Sequence, residues 1–238
     1  MSMWFFLLLT ISFYTDGENA QTPQERQEAF NQALQYYRSL PQSSYGNGKL
    51  QYNIGNTYYQ LGQYPFALLY YYKALRLRPE DPAVLHNLNK AQSKLGLRMQ
   101  EETFSFLPTL PQALQLFIGL VFLSFFLFSV RLWAPKTFAI TWPVFTLVLS
   151  LIPLCFALYF YYLAPTEAVV VRGTNLYRGA GEQFAKVVDD PVSAGSRVEL
   201  IEIVECSQTE KPCDKWLKIK MQDGSIGYVS EQAVRQIF

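Results

Sequence analysis

PQALQLFIGLVFLSFFLFSVRLWAPKTFAITWPVFTLVLSLIPLCFALYFYYL, residues 111–163, holds two long apolar runs around one short basic connection. Asp, Glu, Lys and Arg are absent from Gln112 to Val130 and again from Phe138 to Leu163. At about 1.5 Å of rise per residue, either run is long enough to cross a hydrocarbon core as a helix. Trp133 and Trp142 stand near the connection and Tyr159, Tyr161 and Tyr162 at the far end, where amphipathic rings meet two membrane interfaces. A soluble core helix of this length would carry charge on one face. The stretch therefore reads as a transmembrane hairpin, with spans at 111–132 and 138–163 and a cytoplasmic loop at 133–137. Pro143 and Pro153 each remove a backbone donor from the second span and predict kinks there. Apart from Arg131 at the end of the first, neither span holds a charged residue, the usual mark of an ion or proton pathway.

A hairpin leaves both flanks on one side of the membrane. The whole chain has 238 residues, a net charge of +1 and 50% hydrophobic residues, room for two modest domains beside the spans. Lys and Arg are scattered, without the basic stripe that a phosphate backbone requires, so nucleic acid is not a predicted partner. Met3 to Tyr14 is an apolar run of signal length, followed by polar residues to Ala20. Residues 1–20 read as a secretory signal peptide or, alternatively, an uncleaved N-terminal anchor. With an exported start, Arg131 and Lys136 in the connection fall in the cytoplasm and both flanking domains in the periplasm or its equivalent, which predicts an inner (cytoplasmic) membrane protein.

In the first flank, residues 21–99, Thr22-Pro23-Gln24-Glu25 opens a helix to about Leu40: a cap, a proline at the first position and a glutamate that returns a bond. Ala29, Phe30, Ala33, Leu34 and Tyr37 recur at helical spacing and give it one apolar face. Further on, Ile54-Gly55, Tyr58, Gly62, Ala67, Tyr71, Ala74 and Pro79 fall at the offsets of a tetratricopeptide repeat. Gly55 and Ala67 let two antiparallel helices approach, Tyr58 and Tyr71 fill the space between them, and Gly62 makes the turn. Asp81-Pro82 restarts a helix in phase, with Leu85, Leu88 and Leu95-Gly96 one 34-residue period after Gln51, Ile54 and Leu61-Gly62. One complete repeat with a helix on each side is short for an architecture that buries its core by stacking neighbours. Resemblance to this repeat family implies a concave peptide-binding face built from first helices, here Tyr52, Asn56 and Tyr59 with Asn87 and Lys90. An ordinary solvated or packing role is the alternative for each. Residues 100–110 read as a linker whose Phe104, Phe106 and Leu107 meet the membrane interface.

After Leu163 the pattern changes to strands, predicted at Glu167 to Val171, Val198 to Glu205, Trp216 to Met221 and Ile226 to Val229. Asp223-Gly224 is a hairpin-turn signal between two of them. Asn175-Leu176-Tyr177-Arg178-Gly179-Ala180, Gly195-Ser196-Arg197-Val198, Trp216-Leu217-Lys218-Ile219 and Asp223-Gly224-Ser225-Ile226-Gly227-Tyr228-Val229 resemble the bacterial SH3-like (SH3b) barrel over residues 164–238. Trp216 and Tyr228 would be packed or would line that family's shallow groove, and in the ligand-binding reading Tyr177 joins them around it. Cys206 and Cys213 flank a loop, and a disulfide in an oxidising compartment would close it; two free thiols are the alternative.

Catalytic chemistry finds no constellation. His86 is the only histidine, Cys206 and Cys213 alone are too few for a zinc site, and no glycine run ends in the Gly-Lys-Ser/Thr of a phosphate loop. Glu101-Glu102 and Asp189-Asp190 are neighbours whose side chains point apart. The expectation is therefore a multidomain membrane protein with no enzyme activity, no metal and no cofactor: an all-α repeat domain, a two-helix hairpin and an all-β barrel. That order, with Tyr52-Asn53-Ile54-Gly55-Asn56 and Ala67-Leu68-Leu69-Tyr70-Tyr71-Tyr72-Lys73-Ala74-Leu75, resembles the BatE-type proteins of the Bat aerotolerance group. The resemblance implies a scaffold working beside von Willebrand factor A-type membrane proteins and a MoxR-type ATPase in envelope stress or assembly. A peptidoglycan-binding role for the SH3b part is the second reading.

Overall fold

A computed structural model describes residues 14–40, 48–79, 81–97, 110–133, 141–162, 166–204 and 215–237. The chain forms two compact units, Met1–Met99 together with Pro165–Phe238, and Gln100–Ala164.

In the first unit, a short helical stretch at 14–19 precedes α1 (Pro23–Ser39), α2 (Lys49–Gln60), α3 (Tyr64–Leu77) and α4 (Pro82–Lys94). α1 starts at a full capping box: Thr22 accepts from the Glu25 amide, and Glu25 accepts from the Thr22 amide. Asp81 caps α4 by accepting from the Ala83 amide at 2.9 Å. Gly62, at φ 73°, makes the turn between α2 and α3 that a residue with a Cβ would adopt only under strain. Gly55 is where the pair closes: a Cβ there would stand 2.7 Å from the Tyr71 ring. Phe30, Ala33, Leu34 and Tyr37 of α1, Leu50, Ile54 and Tyr58 of α2, and Leu68 and Tyr71 of α3 are all buried.

The remainder of this unit is a five-stranded antiparallel sheet: β1 (Thr166–Val170), β2 (Arg197–Val204), β3 (Trp216–Lys220), β4 (Ile226–Ser230) and β5 (Val234–Gln236). The order is β4-β3-β2-β1-β5, with a bulge in β2 between Leu200 and Glu202. The ladder is open, because β4 and β5 stand at opposite edges. The expected barrel is thus met by a sheet that does not close among the described residues, and Tyr177 rather than a strand pairs with the β4 edge, bridging Tyr228. The Asp223-Gly224 turn forms as expected, with Gly224 at φ 87° and the Met221 amide donating to the Ser225 carbonyl.

β1 joins the two parts. Its residues alternate between two cores: Ala168 and Val170 pack with Leu176, Val198, Leu217, Ile219 and Val229 inside the sheet. Val169 and the following Val171 belong instead, with Ile237, to the buried cluster of the repeat helices. Gly195 presses on the same helices, where a Cβ would lie 2.5 Å from Leu95 and 2.8 Å from Leu97. Arg197 pairs with Glu167 at 2.6 Å, and its guanidinium stands 5.3 Å from the Tyr72 ring centre. The cover that so short a repeat needs therefore comes from the same chain.

The second unit contains α5 (Leu110–Trp133), α6 (Thr141–Leu149) and α7 (Leu151–Tyr162). Two helical segments, Ala113–Trp133 and Thr141–Tyr159, are long and apolar enough to cross a membrane; only 11% of the first and 22% of the second is buried by the chain itself. Their contact is a seam of small and hydroxyl side chains: Ala113, Ser124, Thr146, Ser150 and Ala157 are buried while Phe122, Phe125, Phe126 and Ile152 face outward. Ser124 donates across the seam to the Pro143 carbonyl at 2.7 Å. The second run is two helices, divided at Ser150, because Pro153 has no N–H for the Leu149 carbonyl. Pro143 is the third residue of α6, and its i−4 position, Ala139, lies outside the described residues, as does the kink expected there.

Gly195→Ala should destabilise helices and sheet together, by about 1–3 kcal/mol, since it adds both overpacking and a strained φ of 91°. Hydrogen exchange is the check: amides of α3 and of β1 should lose protection in parallel, and loss confined to the sheet would mean the two cores are independent.

Candidate functional site

Adjacent helices of a repeat stack present their first helices along one side, and here α2 and α4 do so. Asn87 of α4 donates through Nδ2 to Asn56 Oδ1 at 2.9 Å and to the Tyr52 hydroxyl at 3.0 Å. Tyr71 of α3 reaches through from behind and donates to the same Asn56 Oδ1 at 2.9 Å. Three of the five expected groove residues, Tyr52, Asn56 and Asn87, are thus drawn into one network. Tyr59 lies beside it, edge-on to Tyr64 at 5.3 Å. Lys90 is exposed one turn further along α4. The network leaves Asn56 Nδ2, a donor, and Asn87 Oδ1, an acceptor, without a hydrogen-bond partner among the described residues. A peptide amide offers the complementary pair.

Tyr71 was legible in the sequence only as a ring that fills space. Its hydroxyl is what orients Asn56, and the signal for that role is general: a buried tyrosine oxygen needs a partner. Burial pushes its pKa far above the ordinary tyrosine range, and the phenols of Tyr52, Tyr14 and Tyr59 push in the same direction.

The face between α1 and α3 holds a second aromatic set that sequence patterning missed. Tyr58 stacks between Phe66 at 5.2 Å and Tyr70 at 5.4 Å. Arg38 donates to the Tyr58 hydroxyl and lies over its ring, and Lys73 lies 5.5 Å over Tyr70. Burial lowers the Lys73 pKa. These rings and cations satisfy one another.

On the sheet, Tyr177 meets Trp216 edge-on at 5.8 Å and exchanges two backbone hydrogen bonds with Tyr228, at 2.9 and 2.8 Å. The three expected groove residues are therefore neighbours. They form a packed cluster, with Trp216 only 9% exposed and Lys218 over the Tyr228 ring at 5.8 Å. Cys206, Cys213, Glu101, Glu102, Phe104, Phe106, Leu107 and Lys136 lie outside the described residues. His86 is exposed on α4, and no cluster of three metal-ligating side chains occurs among the described residues.

The tetratricopeptide-repeat family model matches residues 48–81, the span of α2, α3 and the Asp81 cap. These residues are a tetratricopeptide repeat, a class of protein-interaction module. Comparison with characterised proteins and with solved structures gives no match.

Because Tyr71 is held neutral by the fold, its contribution to stability is complete below its unfolded pKa of about 10 and is lost as pH rises above that value. Urea midpoints should fall from about pH 10 upward, and Tyr71→Phe should make that fall shallower. Equal slopes in the two proteins would show that the phenol does not carry the effect.

Proposed function

We propose that this chain is a non-catalytic, membrane-anchored scaffold that holds an extended segment of a partner protein in the groove between α2 and α4. The observation that carries the reading is the oriented amide pair of Asn56 and Asn87, fixed by Tyr52 and Tyr71 and left with one donor and one acceptor free. Paired side-chain amides recognise backbone rather than any particular side chain, so Tyr52, Tyr59 and the exposed Lys90 would set preference along the segment.

The outward-facing apolar side chains of α5, α6 and α7 support anchoring, since lipid is the medium that such a surface needs. The flank that ends at Leu97 and the flank that begins at Thr166 share one core, which supports placing both on the same side of the membrane. The signal-like start argues for the exported side, and the basic Arg131 end of α5 for the cytoplasmic one. The order of repeat, hairpin and SH3-like sheet fits a BatE-type subunit, with von Willebrand factor A-type membrane proteins and the MoxR-type ATPase system as the partners to look for. Tethering of this kind raises the effective concentration of whatever the groove holds.

Two experiments test the reading. Tagged protein extracted in mild detergent from its native membrane should retain a stoichiometric partner, and Asn56→Ala/Asn87→Ala should weaken that retention about tenfold with unchanged helix content. Equal retention by the variant would sink the groove. In a cysteine-free background, Glu28→Cys and Asp190→Cys, both on exposed residues, should react with a membrane-impermeant maleimide from one side and Lys136→Cys from the other. Opposite accessibility of the first two would rule out a hairpin.

A further inference from the structure

α1 lies one tetratricopeptide period before α3: Ala33, Leu34 and Tyr37 stand 34 residues ahead of Ala67, Leu68 and Tyr71. It is thus the second helix of a preceding repeat, and a second helix requires a first helix on its inner face. The helical stretch at 14–19 occupies that place. Tyr14 meets Phe30 edge-on, with ring centres 5.4 Å apart, and its side chain hydrogen-bonds Gln60 of α2. Gly17 is buried, and a Cβ there would stand 2.8 Å from the Phe30 ring. Gly55 uses the same device against Tyr71 in the next repeat, at 2.7 Å. Phe30 is 1% exposed with this cover in place.

We propose that residues 14–19 belong to the retained first helix of an N-terminal tetratricopeptide repeat, so that any cut removing the apolar run upstream falls before Tyr14. Cleavage at Ala20, the site that composition suggests, would strip Tyr14 and Gly17 from Phe30 and leave an aromatic ring of the core facing water. It would also remove a ring whose hydroxyl reaches α2, the helix that carries Tyr52, Asn56 and Tyr59. The repeat stack in the mature protein is accordingly longer by one helix than cleavage at Ala20 would leave it.

The test is N-terminal sequencing of the mature, C-terminally tagged full chain purified from the cells that make it. A first residue at or before Tyr14 is expected; a first residue from Thr15 to Gln24 overturns the proposal. A second measurement reads the packing. In an uncovered helix Gly→Ala raises stability, whereas beside the Phe30 ring it must push the neighbour. Gly17→Ala should therefore lower the thermal midpoint by about 2 °C or more, while Asn19→Ala at an exposed position leaves it within about 1 °C. A raised midpoint in Gly17→Ala overturns the helix's place in the stack.

Discussion

A single strand buried on both faces holds the first unit together. Ala168 and Val170 point into the sheet's own core, and Val169 with Val171 into the core of the helices. A strand in this position has no polar face, which is why Ala168-Val169-Val170-Val171 reads as a continuous apolar run rather than an alternation. Helices and sheet then share one hydrophobic surface, and each supplies cover the other lacks. Arg197 reinforces the joint at its edge, paired with Glu167 and laid over Tyr72, although a half-buried pair near the surface contributes modestly by itself.

Close approach between helices is the second constraint, and it ties the core to the outer face of the repeat. Gly55 lets the Tyr71 ring sit against α2, and the same ring carries the hydroxyl that turns Asn56 toward Asn87. A bulkier residue at Gly55 would shift the tyrosine and with it the amide pair. The core of the repeat and the orientation of its outer face are therefore one structure. Nothing comparable holds the sheet's aromatic cluster open, since Trp216 is enclosed by its neighbours.

The apolar hairpin follows a different packing logic. Its helices meet through small residues and hydroxyl groups while large rings face outward, the pattern that packing in lipid would favour. Ala113, Ser124, Thr146, Ser150 and Ala157 form the seam, and Phe122, Phe125 and Phe126 point away from it. Ser124, Thr146 and Ser150 all donate to backbone carbonyls, which keeps their hydroxyls satisfied where no water reaches.

The local sequence determined the pieces: the capping box at Thr22, the Asp81 cap, the turn at Gly62, the glycine approach at Gly55, four strands and two apolar runs. These depend on contacts within a few residues or on periodicity, and both are written along the chain. Tyr52, Asn56 and Asn87 were legible as neighbours on the first helices because the repeat fixes their offsets. Tertiary structure alone decided that Tyr71 orients Asn56 and that Tyr14 covers Phe30. It alone decided that β1 serves two cores and that the sheet stays open with Tyr177 at its edge. Each of these depends on which surfaces meet across a large separation in sequence. That choice is made by burial and shape, for which no single stretch of residues carries a mark.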